Sequence, residues 1–481
     1  MRVTDLELVA VAAAMVLAAF IADDWIGAAA VLALWLCIKL VATGDRLFVL
    51  PAALTFHWNQ TVLGIFYRGV TGREVQAHYA SDYRPMVFIG LGCCLSLALG
   101  IKLGFLLRKS PPRQESQPLF AFGFGTLAMA YGASIFLESS LLALAPDYPS
   151  FRQIIATVDT GRLGILFLIL RRLAAPPSRW GLMGAVVGLE VVLGVTGFFA
   201  GFREPLVLGV LAVLEVFDRR NMRHWTVVAA GIVGAATMGL IWMGIRGTYR
   251  SEYITVDKFS ASRSARVERV RDLTSAFFGG SATDLWATTD ALVARMWTVY
   301  YPALAIARVP SALPHTDGAI FGAALTHIVT PRVFFPDKGE LVSDSDMVRK
   351  YSNVNVAGRE TNTSIAFGYA AESYIDFGVP LMFAPIAAFG VLVGFAYMTF
   401  RRLIRHHELF VAFATVTFWL SLYLFERSWA LMLGVTTGFI VYLGVPLVLA
   451  DRFLLISAAK QEAESEPVLF TAPDYYRHDA R

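Results

Sequence analysis

Charge is what this chain has least of. Only 16% of its 481 residues are Asp, Glu, Lys or Arg, against 56% hydrophobic residues and a mean hydropathy of +0.58, a balance that excludes a soluble globular protein of this length. Cysteine is nearly absent: Cys37, Cys93 and Cys94 all fall inside apolar runs. Three such cysteines give neither a disulfide framework nor a converging metal-ligand set, and they read as small packing residues. A continuous basic patch is missing too. The formal charge is only +4 and the cations sit in short clusters, so nucleic acid is not an expected partner. No internal repeat or low-complexity tract occurs.

What the sequence does have is hydrophobic length. Crossing about 30 Å of hydrocarbon takes about 20 mostly apolar residues. The segments that qualify are Leu6–Ala22, Trp25–Thr43, Leu47–Tyr67, Met86–Leu107, Pro118–Phe136, Gln153–Leu170, Gly181–Ala200, Glu204–Phe217, Trp225–Ile245, Tyr374–Phe400, Glu408–Phe425 and Trp429–Ala450. They predict an all-α polytopic integral membrane protein of about twelve transmembrane helices. The first segment carries Asp5 and Glu7 where a signal peptide would be basic, and reads as a retained span. Three spans are irregular: the third holds His57, Asn59 and Gln60, the eighth is short, and the sixth begins among polar residues including Asp159 and Arg162.

Four basic clusters lie between spans: Arg108, Lys109 and Arg113; Arg171, Arg172 and Arg179; Arg219, Arg220 and Arg223; Arg401, Arg402 and Arg405. With all four in the cytoplasm the spans alternate without conflict and both termini lie inside. The expected organisation is then a nine-span bundle over 1–246, an external (periplasmic) region over 247–373 with amphipathic or re-entrant helices, three spans over 374–450 and a polar cytoplasmic tail over 451–481. Asp284–Arg308 has helical apolar spacing and is expected to lie on the membrane surface or re-enter it.

Several external residues have side chains suited to anions. Arg203, in the turn GFREP, can offer a bidentate guanidinium, or else snorkel and pair with Glu204. Arg246 and Arg250, in RGTYR, stand against the positive-inside bias and invite a ligand; pairing with Glu252 or a lipid phosphate is the structural alternative. Arg295 lies beside Trp297, Tyr300 and Tyr301, aromatic residues that equally serve as interfacial anchors. In TPRVFFPDK, two prolines predict an extended stretch anchored by Phe334 and Phe335 that presents Arg332 and Lys338. Asp337, Glu340, Asp344 and Asp346 follow as a solvated tract or a source of a base.

Asn362, Thr363 and Ser364 predict a helix start. Glu372 and Asp376 recur four residues apart on one face of that helix. These carboxylates, or His327 or His315, are candidates to deprotonate a sugar hydroxyl; the alternatives are pairing with Arg359 and interfacial packing.

In order, GFREP, RGTYR, ARVPSALPHTDG, TPRVFFPDK and NTSIAFGYAAESYIDFG resemble the Wzy-type O-antigen and exopolysaccharide repeat-unit polymerases, over roughly residues 181–392. The chain departs from that pattern at Gly339, where family members often carry proline. The resemblance implies a glycosyltransferase of the bacterial inner membrane that joins undecaprenyl-pyrophosphate-linked oligosaccharides on the periplasmic face, without nucleotide sugar, metal or other cofactor. It implies Arg203, Arg246, Arg250, Arg295, Arg332 and Lys338 as pyrophosphate or sugar contacts, and Glu372, Asp376 or His327 as the catalytic base. A chain-length regulator and a repeat-unit flippase are the implied partners, beside the lipid bilayer.

Three other functions compete. An O-antigen ligase would share the donor chemistry and transfer to an acceptor lipid. A transporter or flippase would need broken helices and intramembrane titratable groups, for which Glu190 and Glu215 are the available residues. An exosortase-like protease would need a reactive thiol, and Cys93 and Cys94 lack the electropositive setting.

Overall fold

A computed structural model describes residues 4–43, 47–75, 82–108, 122–144, 152–195, 203–218, 220–254, 263–279, 285–331, 334–335, 337–361 and 363–453. Among them every regular element is helical. The chain begins with α1 (Asp5–Ala22), α2 (Ile26–Val41), α3 (Val49–Thr71), α4 (Arg84–Leu107), α5 (Phe124–Leu144) and α6 (Arg152–Ala174). It continues with α7 (Trp180–Val195), α8 (Arg203–Glu215), α9 (Met222–Ile254), α10 (Arg263–Gly279), α11 (Leu285–Met296) and α12 (Tyr300–Arg308). It ends with α13 (Ala319–Val329), α14 (Asp344–Ser352), α15 (Gly368–Phe377), α16 (Phe383–Leu403), α17 (His407–Leu422) and α18 (Trp429–Gly438). A π-helical turn at Phe439–Gly444 carries α18 on to Phe453.

Among the described residues, five helices are long and apolar enough to cross a membrane: Asp5–Ala22, Arg84–Leu107, Met222–Tyr249, Phe383–Leu403 and Trp429–Phe453. Every other expected span also contains a helix. Some are apolar but short, such as α2 and α17. Others carry polar side chains that find partners inside the bundle. Arg162 on α6 bonds Glu190 of α7 at 3.0 Å and the Tyr131 hydroxyl of α5 at 2.7 Å. Arg171 Nε bonds Glu215 of α8 at 2.7 Å, with both side chains about 5% exposed. The two acids that kept a carrier in view are therefore ion-paired to arginine.

The tightest packing joins α4 to α16. Gly100 and Gly104 on one helix face Gly390 and Gly394 on the other; a Cβ on Gly390 would stand 2.5 Å from Leu97 O and 3.0 Å from Gly100 Cα. Two Gly-x-x-x-Gly pairs bring the backbones together, as helices do where lipid gives no hydrophobic drive for association. Ser96 Oγ donates to Phe383 O at 2.8 Å, so the pairing runs from Ser96–Phe383 to Gly104–Gly394 and the helices are parallel. Their shared end carries Arg108, Arg401 and Arg402. Asp451 accepts from the Arg405 and His406 amides there (2.8 and 3.0 Å), and α6 packs on α17 through Gly164 and Ala412. The Arg171–Glu215 pair joins the ends of α6 and α8. The described members of the basic clusters thus gather at one end of the bundle.

Three expectations on local structure are corrected. The span expected over Tyr374–Phe400 is broken into α15 and α16, because Gly378 adopts φ +61° and a turn through Met382 follows. The start expected at Asn362–Ser364 falls at Gly368 instead; Asn362 itself is outside the described residues. Gly368 takes φ +92° and lies where a Cβ would meet the backbone of Phe425 and Glu426, so the helix begins where that close approach permits. The stretch after Pro331 is not extended: the Phe334 and Phe335 amides both reach Pro331 O (3.0 and 2.9 Å). Pro331 lacks an N–H but its carbonyl still accepts, and the chain turns.

At the other end of the bundle, away from the basic clusters, α12, α14 and α15 close a small core of Ala305, Val309, Val348, Tyr351, Phe367 and Ile375. The segment expected as one helix over Asp284–Arg308 is two, α11 and α12. They separate at Trp297–Val299, where the chain docks on α3.

Candidate functional site

The polar residues of α3 explain themselves here. Gln60, 2% exposed, donates from Nε2 to Tyr423 O (2.7 Å) and accepts the Phe425 amide on Oε1 (3.2 Å). Its carbonyl accepts the Thr298 amide (3.2 Å), and the Trp297 indole donates to Thr61 O (2.9 Å). Gly64 leaves the room that the indole fills. The side-chain amide of Gln60 therefore pins the α17–α18 turn, and the backbone carbonyls of Gln60 and Thr61 pin the end of α11, to the middle of α3. His57, fully buried, is packed edge-on between Tyr369 and Phe425 (5.8 and 5.7 Å between ring centres).

That fixture brings arginines together. Arg203, at the start of α8, and Arg427, in the α17–α18 turn, both face the Tyr423 ring, with Cζ 6.0 and 5.1 Å from its centre. Arg295, in the last turn of α11, makes a bidentate pair with Glu426 (2.6 and 2.7 Å). Glu204 lies 3.9 Å from Arg203. Three guanidinium groups stand against two carboxylates, leaving net positive charge at a rim where Arg203 and Arg295 are about half exposed. Arg427 is held by its turn: it donates to Leu420 O, and its own carbonyl accepts the Tyr369 amide at 2.6 Å. Its Nε is buried without a hydrogen-bond partner. Burial, and then the neighbouring Arg203 charge, push Arg427 below the usual arginine pKa. An anion would relieve both.

Directly beneath, the two acids of α15 serve helix ends. Glu372, 4% exposed, accepts the Trp429 amide at 2.6 Å, the first residue of α18. Asp376, with no exposed surface, accepts the Ile320 and Phe321 amides (3.1 and 2.8 Å) and the Thr316 hydroxyl. A carboxylate on the free amides of a helix start is a favourable placement. His315 Nδ1 faces the Tyr374 and Ile375 carbonyls (3.1 and 3.2 Å), so that nitrogen carries the proton.

Other expected contacts lie elsewhere. Lys338 Nζ donates to His327 O and Thr330 O (2.8 and 2.7 Å), closing the end of α13 where the His327 side chain also sits. Arg246 on α9 has Nη1 3.8 Å from Met243 Sδ. Arg250 is on α9, but its side chain is outside the described residues, as is all of Arg332. Glu340 pairs with Arg359 (2.7 Å) and Asp346 with Arg349 (3.2 Å). A cavity of about 270 Å³ between α7, α9 and α10, lined by Val191, Met238, Trp242, Ile245 and Val270, is apolar and shares no residue with the arginine group. Among the described residues no cluster of His, Cys, Asp or Glu could hold a metal ion.

Sequence reasoning missed Arg427 and Glu426. The signal was present: an arginine in a short turn between two apolar segments, on the side that basic clusters avoid, is the same anomaly that singled out Arg246.

The class that fold and site define is an all-helical protein with helices apolar enough for a bilayer and a polar, arginine-rich group at one end. A family model described as a domain of unknown function (DUF8712) matches residues 183–416, from α7 into α17. No curated protein and no solved structure matches the chain.

Proposed function

We propose that the protein is a membrane glycosyltransferase that polymerises polyprenyl-diphosphate-linked oligosaccharide units. The observation that carries this reading is the convergence of Arg203, Arg295 and Arg427 on Tyr423 and its turn. In such a transfer the bond from the sugar's anomeric carbon to the diphosphate oxygen breaks. The acceptor hydroxyl oxygen bonds that carbon, and its proton passes to a base. Leaving-group charge is what preorganised guanidiniums stabilise, and Arg427 and Arg203 are the pair least matched by carboxylates. Tyr423, backed by Trp419 at 5.2 Å, is buried and forms a fixed aromatic floor beneath the two guanidiniums. Glu426 and Glu204 are the partly exposed carboxylates in reach of the same space. Glu372 and Asp376, in this reading, position the turn and α13 rather than take the proton.

The orientation belongs to the same proposal. The basic end lies in the cytoplasm, about twelve segments alternate across the inner membrane, and the arginine group faces the periplasm and an undecaprenyl carrier. Gathering of the basic residues at one end of the bundle supports it. Arg–Glu pairing of Glu190 and Glu215 counts against a proton-linked carrier, because neither acid is left to cycle.

The test is the pool of lipid-linked glycans in a strain deleted for this protein. Accumulation of single repeat units is the expected result. Accumulation of full-length chains not attached to an acceptor lipid would replace polymerase by ligase, and an unchanged pool would remove the proposal.

A further inference from the structure

Helix α13 is an anomaly in a region otherwise expected to be wet. Its sequence, AIFGAALTHIV, is apolar throughout except for Thr326 and His327. Eleven residues span about 16 Å, half of a bilayer's hydrocarbon. It does not lie across the bundle but runs beside α18. Phe321 meets Trp429 at 4.9 Å between ring centres, and Ile328 Cδ1 comes within 3.3 Å of where a Cβ on Gly434 would stand. Those contacts advance five residues along a membrane-crossing helix, about 7.5 Å.

The flank of α13 beside its α18 contacts is uncovered. Leu325 is 40% and Val329 72% exposed, one turn apart on the same face; Phe334 (77%), Phe335 (50%) and Val342 (67%) continue the apolar surface. The hydroxyls and helix-end backbone groups of this element are hydrogen-bonded within the protein. Thr326 and Thr330 donate their hydroxyls to carbonyls four residues back (2.9 and 2.7 Å). Asp376 takes the first amides, and Lys338 takes the carbonyls of His327 and Thr330. Water would satisfy such helix ends unaided; hydrocarbon would not, and there each open backbone group costs several kcal/mol.

We infer that α13, with Phe334 and Phe335, is a half-span embedded in one leaflet beside α18, its uncovered face in contact with lipid acyl chains. Continuity with α18 and the sealing of both helix ends by a buried acid and a lysine favour lipid over a protein partner. Lys338 keeps its charged end at the carbonyls while its stem follows the apolar surface. Phe334 and Phe335, expected as the anchors of an extended stretch, thereby join α13 in fixing the height of the 337–361 region above the membrane.

The experiment uses full-length protein in lipid nanodiscs, where both faces are accessible. Single reporters are Val329→Cys and Phe334→Cys, with Leu431→Cys on α18 as the lipid-facing control and Lys350→Cys on α14 as the water-facing control. Cys37, Cys93 and Cys94 are buried and add no background. Both reporters should react with a charged thiosulfonate about tenfold more slowly than Lys350→Cys, because an apolar setting suppresses the thiolate. Bimane attached at either should be quenched by lipids brominated on the acyl chain, comparably to Leu431→Cys. Reaction as fast as Lys350→Cys would overturn the inference. So would protection without bromine quenching, which would mean that protein covers the face.

Discussion

Asp376 gives the sharpest test of how the buried acids work. Asp376→Ala removes a carboxylate with no exposed surface that takes hydrogen bonds from two amides at the start of α13 and from the Thr316 hydroxyl. Thr316 can rotate to another acceptor; the two amides cannot. At about 1–3 kcal/mol for each buried donor left unmet, the loss is about 2–6 kcal/mol. Asp376→Asn keeps one oxygen for Thr316 and Ile320 but turns an NH2 toward the Phe321 amide, and should cost about 1.5–3 kcal/mol. Equilibrium unfolding in mixed SDS micelles, followed by tryptophan fluorescence, should rank wild type above Asn and Asn above Ala. An Ala variant within about 1 kcal/mol of wild type would refute the capping argument. Polymer yield in the same two variants separates a cap from a base. A cap predicts yield in proportion to folded protein, whereas a base predicts that Asn abolishes polymer at undiminished abundance.

Gly390→Leu should separate α4 from α16 and lower stability by about 1–3 kcal/mol or more, since the blocking atoms are backbone; Leu392→Ala, at a half-exposed site on the same helix, should cost less in the same unfolding assay. Glu215→Ala strands a buried arginine and should cost about 3–5 kcal/mol, while joint replacement of Arg171 by Met and Glu215 by Leu should recover most of it. Arg73, hydrogen-bonded to Asp290 at 3.1 Å, holds that carboxyl below its usual range. The resulting stability is complete above the ordinary carboxylate pKa of about 4 and is lost as pH falls through the lowered value. Both side chains are partly exposed (42% and 28%), so the effect is under about 1 kcal/mol. Arg73→Ala should lower neutral-pH stability by that amount, under about 1 kcal/mol, and the difference from wild type should vanish as pH falls through the carboxylate range.

Hydropathy made most helices legible, because about 20 apolar residues in a row leave the backbone no other way to satisfy its amides in lipid. It could not show the break between α15 and α16. Val379, Leu381 and Met382 keep the segment apolar, and the turn is marked by Gly378, with its positive φ, and by Pro380. The polar residues of α3 looked like an irregular span; Gln60 is instead the brace that aligns two distant pieces of chain, a role set by tertiary contact and invisible to periodicity. Arg203 and Arg295 were legible as charges out of place. Their convergence was not, since it depends on Arg427 and Glu426, which a short turn between two spans concealed. Lys338 was legible as a cation, but whether it met a ligand or the carbonyls of α13 depended on how the chain turned after Pro331.

The central claim is that Arg203 and Arg427 hold a diphosphate leaving group, and it is tested most directly in a strain whose only copy carries Arg427→Ala. The account predicts that single-repeat lipid-linked oligosaccharide accumulates and polymer disappears while the protein stays at wild-type abundance. Polymer of normal amount and length from that strain would contradict it.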